Sequence, residues 1–89
     1  IDALRARVGT LPDDWRSQAS LGLAYVQQAR ITADPSNYAL AESALEASVR
    51  IHPDGNADSL VGFASLAAAR HEFADALRYV EQARRLAPH

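Results

Sequence analysis

The chain has 89 residues, 48% of them hydrophobic, with a net charge of -2 and a pI near 5.8. That length allows one domain whose core is near the lower limit of self-sufficiency, and the weak acidity argues against a nucleic-acid or anionic-membrane partner. Cysteine is absent, which excludes a disulfide framework and thiol chemistry.

In chain order, residues 1 to about 9 read as the end of a helix, with Leu4 and Val8 among alternating arginines and Gly9 placed as a C-terminal cap. Asp13 or Asp14 then offers an N-cap for a helix over roughly 14 to 30, where Trp15, Ala19, Gly22, Leu23 and Val26 recur at three- and four-residue spacing. Asp34-Pro35 pairs an N-cap with a proline at the first helical position, opening a helix to about residue 51. Its expected buried stripe is Tyr38, Ala41, Leu45, Ser48 and Val49. The turn Pro53-Asp54-Gly55-Asn56 leads into a helix over 57 to about 70, capped by Asn56. Leu60, Phe63, Ala64 and Ala67 are expected inward there. A last helix runs from about 72 to 87, with Phe73, Ala76, Leu77, Val80 and Ala83 on one face.

A spaced pattern occurs twice. Leu21-Gly22-x2-Tyr25, Ala41-x3-Leu45 and Pro53 return, degraded, as Phe63-Ala64-x2-Ala67, Ala76-x3-Val80 and Pro88. Ala41, Leu45, Ser48 and Pro53 each precede Ala76, Val80, Ala83 and Pro88 by 35 positions. A period near 34 with these residue types marks a helical repeat, and the chain resembles the tetratricopeptide repeat family over roughly residues 12 to 88. Two departures stand out: Gln18 holds the place of the family's tryptophan, with Trp15 one turn earlier. The first repeat is also too long, with its excess in residues 28–35.

The resemblance implies an all-α fold, helical hairpins stacked as a right-handed α-solenoid. Residues 1–11 would end a preceding helix, 12–53 form a first repeat with a longer inter-helix connection, and 54–89 form a second. Gly22 is expected to face Ala41, and Ala64 to face Ala76, so that each hairpin closes tightly. In this family the first helix of each hairpin lines a concave face where peptides bind. Carried over, that face holds Arg16, Leu23, Val26, Gln27 and Arg30 from the first hairpin and Asp58, Val61, Ser65 and Ala68 from the second. The carboxylate clamp of lysine and asparagine used by some members is not expected, because the chain has no lysine.

A search for chemistry is negative. His52, His71 and His89 have no histidine or cysteine at metal-ligand spacing and read as exposed turn or end residues. Asp13-Asp14 is explained by capping, and Glu46–Arg50 and Glu81–Arg85 read as solvated i,i+4 pairs worth about 0.2–0.5 kcal/mol each. Gly22 and Gly62 belong to no phosphate-cradling loop, and no nucleophile motif occurs. No segment approaches the roughly 18 apolar residues of a membrane span, and none reads as a signal peptide.

The expectation is a protein–protein interaction module with a peptide or protein partner, no enzyme activity, no cofactor, no metal, no nucleic acid and no membrane. Two alternatives stay open: a self-association domain forming a homodimer, and a recruiting or regulatory domain attached to an enzyme. Abundant alanine with arginine as the sole basic residue type suggests a high-GC bacterial genome. The chain is expected to be a piece of a longer protein whose further repeats cover its ends.

Overall fold

The computed structural model describes residues 1–11 and 13–86, and among them every regular element is a helix. These are α1 (Asp2–Thr10), α2 (Trp15–Thr32), α3 (Ser36–Ile51), α4 (Ala57–Ala69) and α5 (Phe73–Leu86). Each lies within two residues of its expected bounds. The expected proline boundaries Pro12 and Pro88 lie outside the described residues, as does His89.

Local chemistry sets the helix ends. Asp14, not Asp13, caps α2: its carboxylate accepts from the Ser17 amide at 3.3 Å and the Ser17 hydroxyl at 2.7 Å. Those bonds hold the Asp14 carboxyl below its ordinary value, helped by Arg7 at 3.6 Å and opposed by partial desolvation. Ahead of α3, Asp34 accepts from the Ser36 amide and hydroxyl, and its carboxyl is lowered for that reason. Pro35, expected as the first helical residue after an Asp34 cap, instead holds the cap position itself with φ and ψ of -66° and -14° and no side-chain cap bond, and α3 begins at Ser36. Gly9 does not end α1. The helix continues to Thr10, whose hydroxyl donates back to the Ala6 carbonyl at 3.0 Å, and Leu11 closes it with a bond to Arg7.

Two helices stop on left-handed residues that are not glycine. Ala33, at φ 57°, donates to the Ala29 carbonyl and ends α2. His71, at φ 62°, ends α4 in a two-bond cap: the His71 amide reaches Ala68 and the Glu72 amide reaches Ala67. Of residues 28–35, where the sequence pattern is longer than its recurrence, 28–32 continue α2 through Thr32, and only residues 33–35 connect it to α3.

Packing follows chain order. α1 lies on α2, α2 on α3, α4 on both α2 and α3, and α5 on α4 alone. The core holds Leu21, Tyr25 and Val26 of α2, Ala41, Ala44 and Leu45 of α3, and Leu66 of α4. Leu4 and Val8 of α1 are half-buried against it. Leu45 is the central knob. Its side chain is fully buried between two glycines on different helices, Gly22 and Gly62. A Cβ on Gly22 would lie 2.6 Å from Leu45 Cγ and 3.2 Å from the Ala41 carbonyl oxygen, and a Cβ on Gly62 would overlap Leu45 Cδ2. So Gly22 does face Ala41, but the hairpin closes around the Leu45 side chain and not by bare backbone contact.

A polar knot joins α2, α3 and α4. The Ser48 hydroxyl donates to the Trp15 carbonyl at 2.7 Å. The buried Asn56 amide donates to the Ser48 carbonyl, the Ser48 hydroxyl and the His52 carbonyl, while its oxygen caps α4 at the Ser59 amide. His52 is half-buried and stacks on Trp15 with ring centroids 4.2 Å apart, so it is not the exposed turn residue expected from its place before Pro53. The stacked pair covers the side of the knot where α2 begins and α3 ends.

Helix α5 departs from expectation. Phe73, Leu77 and Val80 were expected inward with Ala76 and Ala83, yet they are 64%, 60% and 41% exposed. The half-buried side is Ala76, Tyr79 and Ala83, with Tyr79 stacked on Phe63 of α4 at 5.4 Å. The expected Glu46–Arg50 and Glu81–Arg85 pairs do not close. The ion pairs among the described residues are Arg7–Asp14, Glu42–Arg70 and Asp75–Arg78.

Candidate functional site

The candidate residues sit on two helices that lie side by side. On α2, the 3.6-residue period places Arg16, Ala19, Leu23, Val26, Gln27 and Arg30 along one sector. That sector borders α4, because α2 packs on α4 as well as on α3. On α4, Asp58, Val61, Ser65 and Ala68 share a sector by the same period, and the adjoining sector, with Gly62 and Leu66, enters the core.

A groove of about 240 Å³ opens between the two helices, lined by Ala19, Ser20, Leu23, Asp58 and Val61. It brings together three of the expected site residues: Leu23, Asp58 and Val61. Leu23 is half-buried and Val61 is 49% exposed, so both present apolar surface to it. Asp58 puts a carboxylate on the α4 rim. Ala19 and Ser20 were not among the expected residues. Ala19 could have been found, since it precedes Leu23 by one turn and its small side chain leaves the floor open.

The other candidates divide. Arg16 and Gln27 are exposed on α2, and the Arg16 guanidinium lies over the Trp15 ring, 4.9 Å from its centroid. Arg30 is exposed and donates to the Ser65 carbonyl on α4 at 3.5 Å, a long bond that ties the C-terminal half of α2 to α4. Ala68 is half-buried and does not line the groove. Val26 is fully buried and belongs to the core with Leu45 and Leu66. Its β-branched side chain points into the meeting of α2, α3 and α4, so it cannot touch a partner.

Val61 and the expected site residue Ser65, which does not line the α2–α4 groove, border a second groove of about 380 Å³ between α4 and α5, with Ala57, Ala64, Val80, Ala83 and Arg84. A third depression, on α3, α4 and α5, is rimmed by Glu42, Glu46, Glu72 and Asp75 around the Phe63–Tyr79 stack. Arg70 neutralises Glu42 there at 3.1 Å. Among the described residues, no group of three or more histidine, aspartate or glutamate side chains could hold a metal ion. No helix among them is long and apolar enough to cross a membrane.

An apolar slot is flanked by guanidinium groups on α2 and a carboxylate on α4. Arg16 and Arg30 are separated by 14 positions, which is about 21 Å along the helix, or roughly six residues of an extended peptide. Comparison with protein-family models, with curated proteins and with solved structures gives no match.

Proposed function

We propose that the chain is a protein–protein interaction module of tetratricopeptide type, which binds a short peptide segment of a partner along the face formed by α2 and α4. The observation that carries this reading is the groove between Leu23 and Val61, open to solvent and lined by side chains from two different helices. The order of helix packing supports it: each helix lies on its chain neighbour, and α4 bridges α2 and α3, as stacked hairpins require. The double sequence pattern, with a period of 35, supports it independently.

The face selects for a peptide with one apolar side chain to enter the groove and an acidic residue toward Arg16. An acid is disfavoured beside Asp58, where like charges would meet. Affinity would come from the desolvated apolar anchor, and the rim charges would set orientation and on-rate. Such a module contributes binding and not catalysis.

The test is a peptide selection against the chain, followed by titration of a selected peptide into isotopically labelled protein. Shifts centred on the amides of Leu23, Gln27, Asp58 and Val61 are expected, together with loss of binding in Leu23→Glu. Shifts confined to α3 and α5 would refute the assignment of the face.

A further inference from the structure

The connection between α3 and α4 holds the one Asp-Gly pair of the chain, Asp54-Gly55. Both residues lie outside the helices and are exposed. Glycine lets the turn form, since Gly55 sits at φ 70°, in the left-handed region. It also leaves its own nitrogen open to approach. A Cβ on Gly55 would meet nothing within 4 Å, and among the described residues the Gly55 amide makes no hydrogen bond. A carboxyl group one residue ahead of an unshielded, unbonded amide nitrogen is placed to cyclise on its own backbone.

The other aspartates are blocked. The amide that follows Asp13 donates to the Leu11 carbonyl at 3.0 Å. The Asp14 carboxylate is held by Ser17, and the next residue is a tryptophan. Asp34 precedes Pro35, which has no N–H to lose. Asp2, Asp58 and Asp75 lie within helices, where closing such a ring would break helical ψ. The asparagines are held as well: the amides after Asn37 and Asn56 donate to the Pro35 and Gly55 carbonyls.

We propose that Asp54-Gly55 is a site of spontaneous aspartate isomerisation, and that the product loosens the joint between α3 and α4. The Gly55 nitrogen gives up its proton and bonds to the Asp54 γ-carbon, and one carboxyl oxygen leaves as water. The ring so formed is a succinimide. Water then adds at one of its carbonyls. Opening at the γ-carbon restores aspartate. Opening at the α-carbon leaves the chain running through the side-chain carbonyl, as isoaspartate with a free α-carboxylate. One water leaves and one returns, so the product is an isomer and no oxidant or co-reactant is consumed.

Isoaspartate puts one more carbon into the backbone of residues 52–56, the whole connection between α3 and α4. Asn56 fixes that connection at both ends. Its buried amide donates to the Ser48 and His52 carbonyls, and its oxygen caps α4 at the Ser59 amide. The added length falls between the His52 carbonyl and Asn56, so these bonds cannot all keep their geometry. None of this rests on the α2–α4 peptide face.

The test is ageing of the folded chain for weeks in warm, mildly acidic buffer, since the departing oxygen must leave protonated. Isoaspartate is read by methyl transfer from radiolabelled S-adenosylmethionine with an isoaspartyl methyltransferase. Peptide mapping then places it, because the peptide bearing residue 54 resolves into peaks of equal mass. The methyl signal rises with time at residue 54. It is lost in Asp54→Glu, which keeps the charge but would have to close a larger ring. Asp54→Asn closes the same ring by expelling ammonia, and ages faster into aspartate and isoaspartate. The aged fraction, separated from the parent, unfolds at a lower urea concentration. Absence of isoaspartate at residue 54, its even distribution over Asp2, Asp58 and Asp75, or an aged fraction with the urea midpoint of the fresh chain overturns the proposal.

Discussion

Alanine in place of Gly62 should destabilise this protein, although glycine inside a helix is ordinarily the worse residue by about 0.5–1 kcal/mol. Gly62 lies in the middle of α4 and takes Leu45 Cδ2 against its Cα. A Cβ there overlaps that methyl carbon. Leu45 cannot retreat, because it is fully buried and its Cγ sits 2.6 Å from where a Cβ on Gly22 would be. Overpacking of such a site costs about 1–3 kcal/mol. Set against the helix-propensity gain, the net loss is about 1 kcal/mol, or about 4–8 °C of Tm in a domain this size.

The reasoning is sharper as a double-mutant cycle. Leu45→Val removes the δ-carbon that overlaps Gly62, whereas Gly22 keeps its closest contact, a carbon at the γ position, and the Ala41 carbonyl oxygen. In that background Gly62→Ala should turn stabilising by about 0.5 kcal/mol, while Gly22→Ala stays destabilising. Gly9→Ala, in α1 with nothing within 4 Å of its Cβ position, is the control and should be neutral or stabilising. Urea unfolding of the six variants measures all of this. If Gly62→Ala raises the stability of the unmodified chain, or if Leu45→Val leaves its effect unchanged, the glycine clasp is not what holds α4 on α3.

Three further outcomes are expected. Ala33→Gly relieves a left-handed alanine at φ 57° and should stabilise by about 0.5 kcal/mol after the entropy cost of glycine, seen as a higher urea midpoint at unchanged slope. Asn56→Ala removes a cap and three donated bonds from a buried side chain and should cost about 2–3 kcal/mol; Asn56→Asp, which keeps the cap acceptor but loses the donors, should not restore it. The Asp14 carboxyl is lowered in the folded chain from an ordinary value of 3.8. Its contribution is therefore complete above that value and lost as pH falls below it, so Asp14→Ala should flatten the acid limb of the stability–pH curve below about pH 4 and leave its shape at neutral pH unchanged.

The starts of α2, α3 and α4 were legible because each has a polar side chain that bonds the first turn. Asp14, Asp34 and Asn56 each bond an amide two or three residues on, and those residue types at those offsets are visible in the sequence. The ends were less legible. Gly9 was expected to stop α1, and instead a threonine back-bond extends the helix past it, while the residues that do turn left-handed are Ala33 and His71. No propensity identifies these two, because their conformation follows from where the next helix must start. The packing role of Gly62 was hidden for a related reason. Nothing local distinguishes it from a flexible glycine, and its partner is 17 positions away on α3. Likewise, helical period alone put Val26 on the same sector as Leu23. Burial separates them, since α3 and α4 converge over Val26 while Leu23 lies at the open edge of the same helix.

The largest difference concerns two positions that the repeat pattern makes equivalent. Leu45 on α3 and Val80 on α5 are 35 residues apart and occupy the same place in the motif. Leu45 is fully buried and Val80 is 41% exposed. The α3 position is closed twice, by Gly22 of its own hairpin and by Gly62 of the helix that follows. For α5 no described helix takes the second role, and only α4 lies against it. A residue's burial in a stacked structure is thus half a property of its own hairpin and half a property of its neighbour, and a periodic pattern encodes only the first half. That is why α5 could be drawn with one apolar face and yet present two: a side of Ala76, Tyr79 and Ala83 that meets α4, and a side at Phe73, Leu77 and Val80 that stands open. Against α4 the two alanines permit a close helix approach, and Tyr79 supplies side-chain volume by stacking on Phe63. Phe73, Leu77 and Val80 stand open because no described helix lies over them in the way that α4 lies over Leu45.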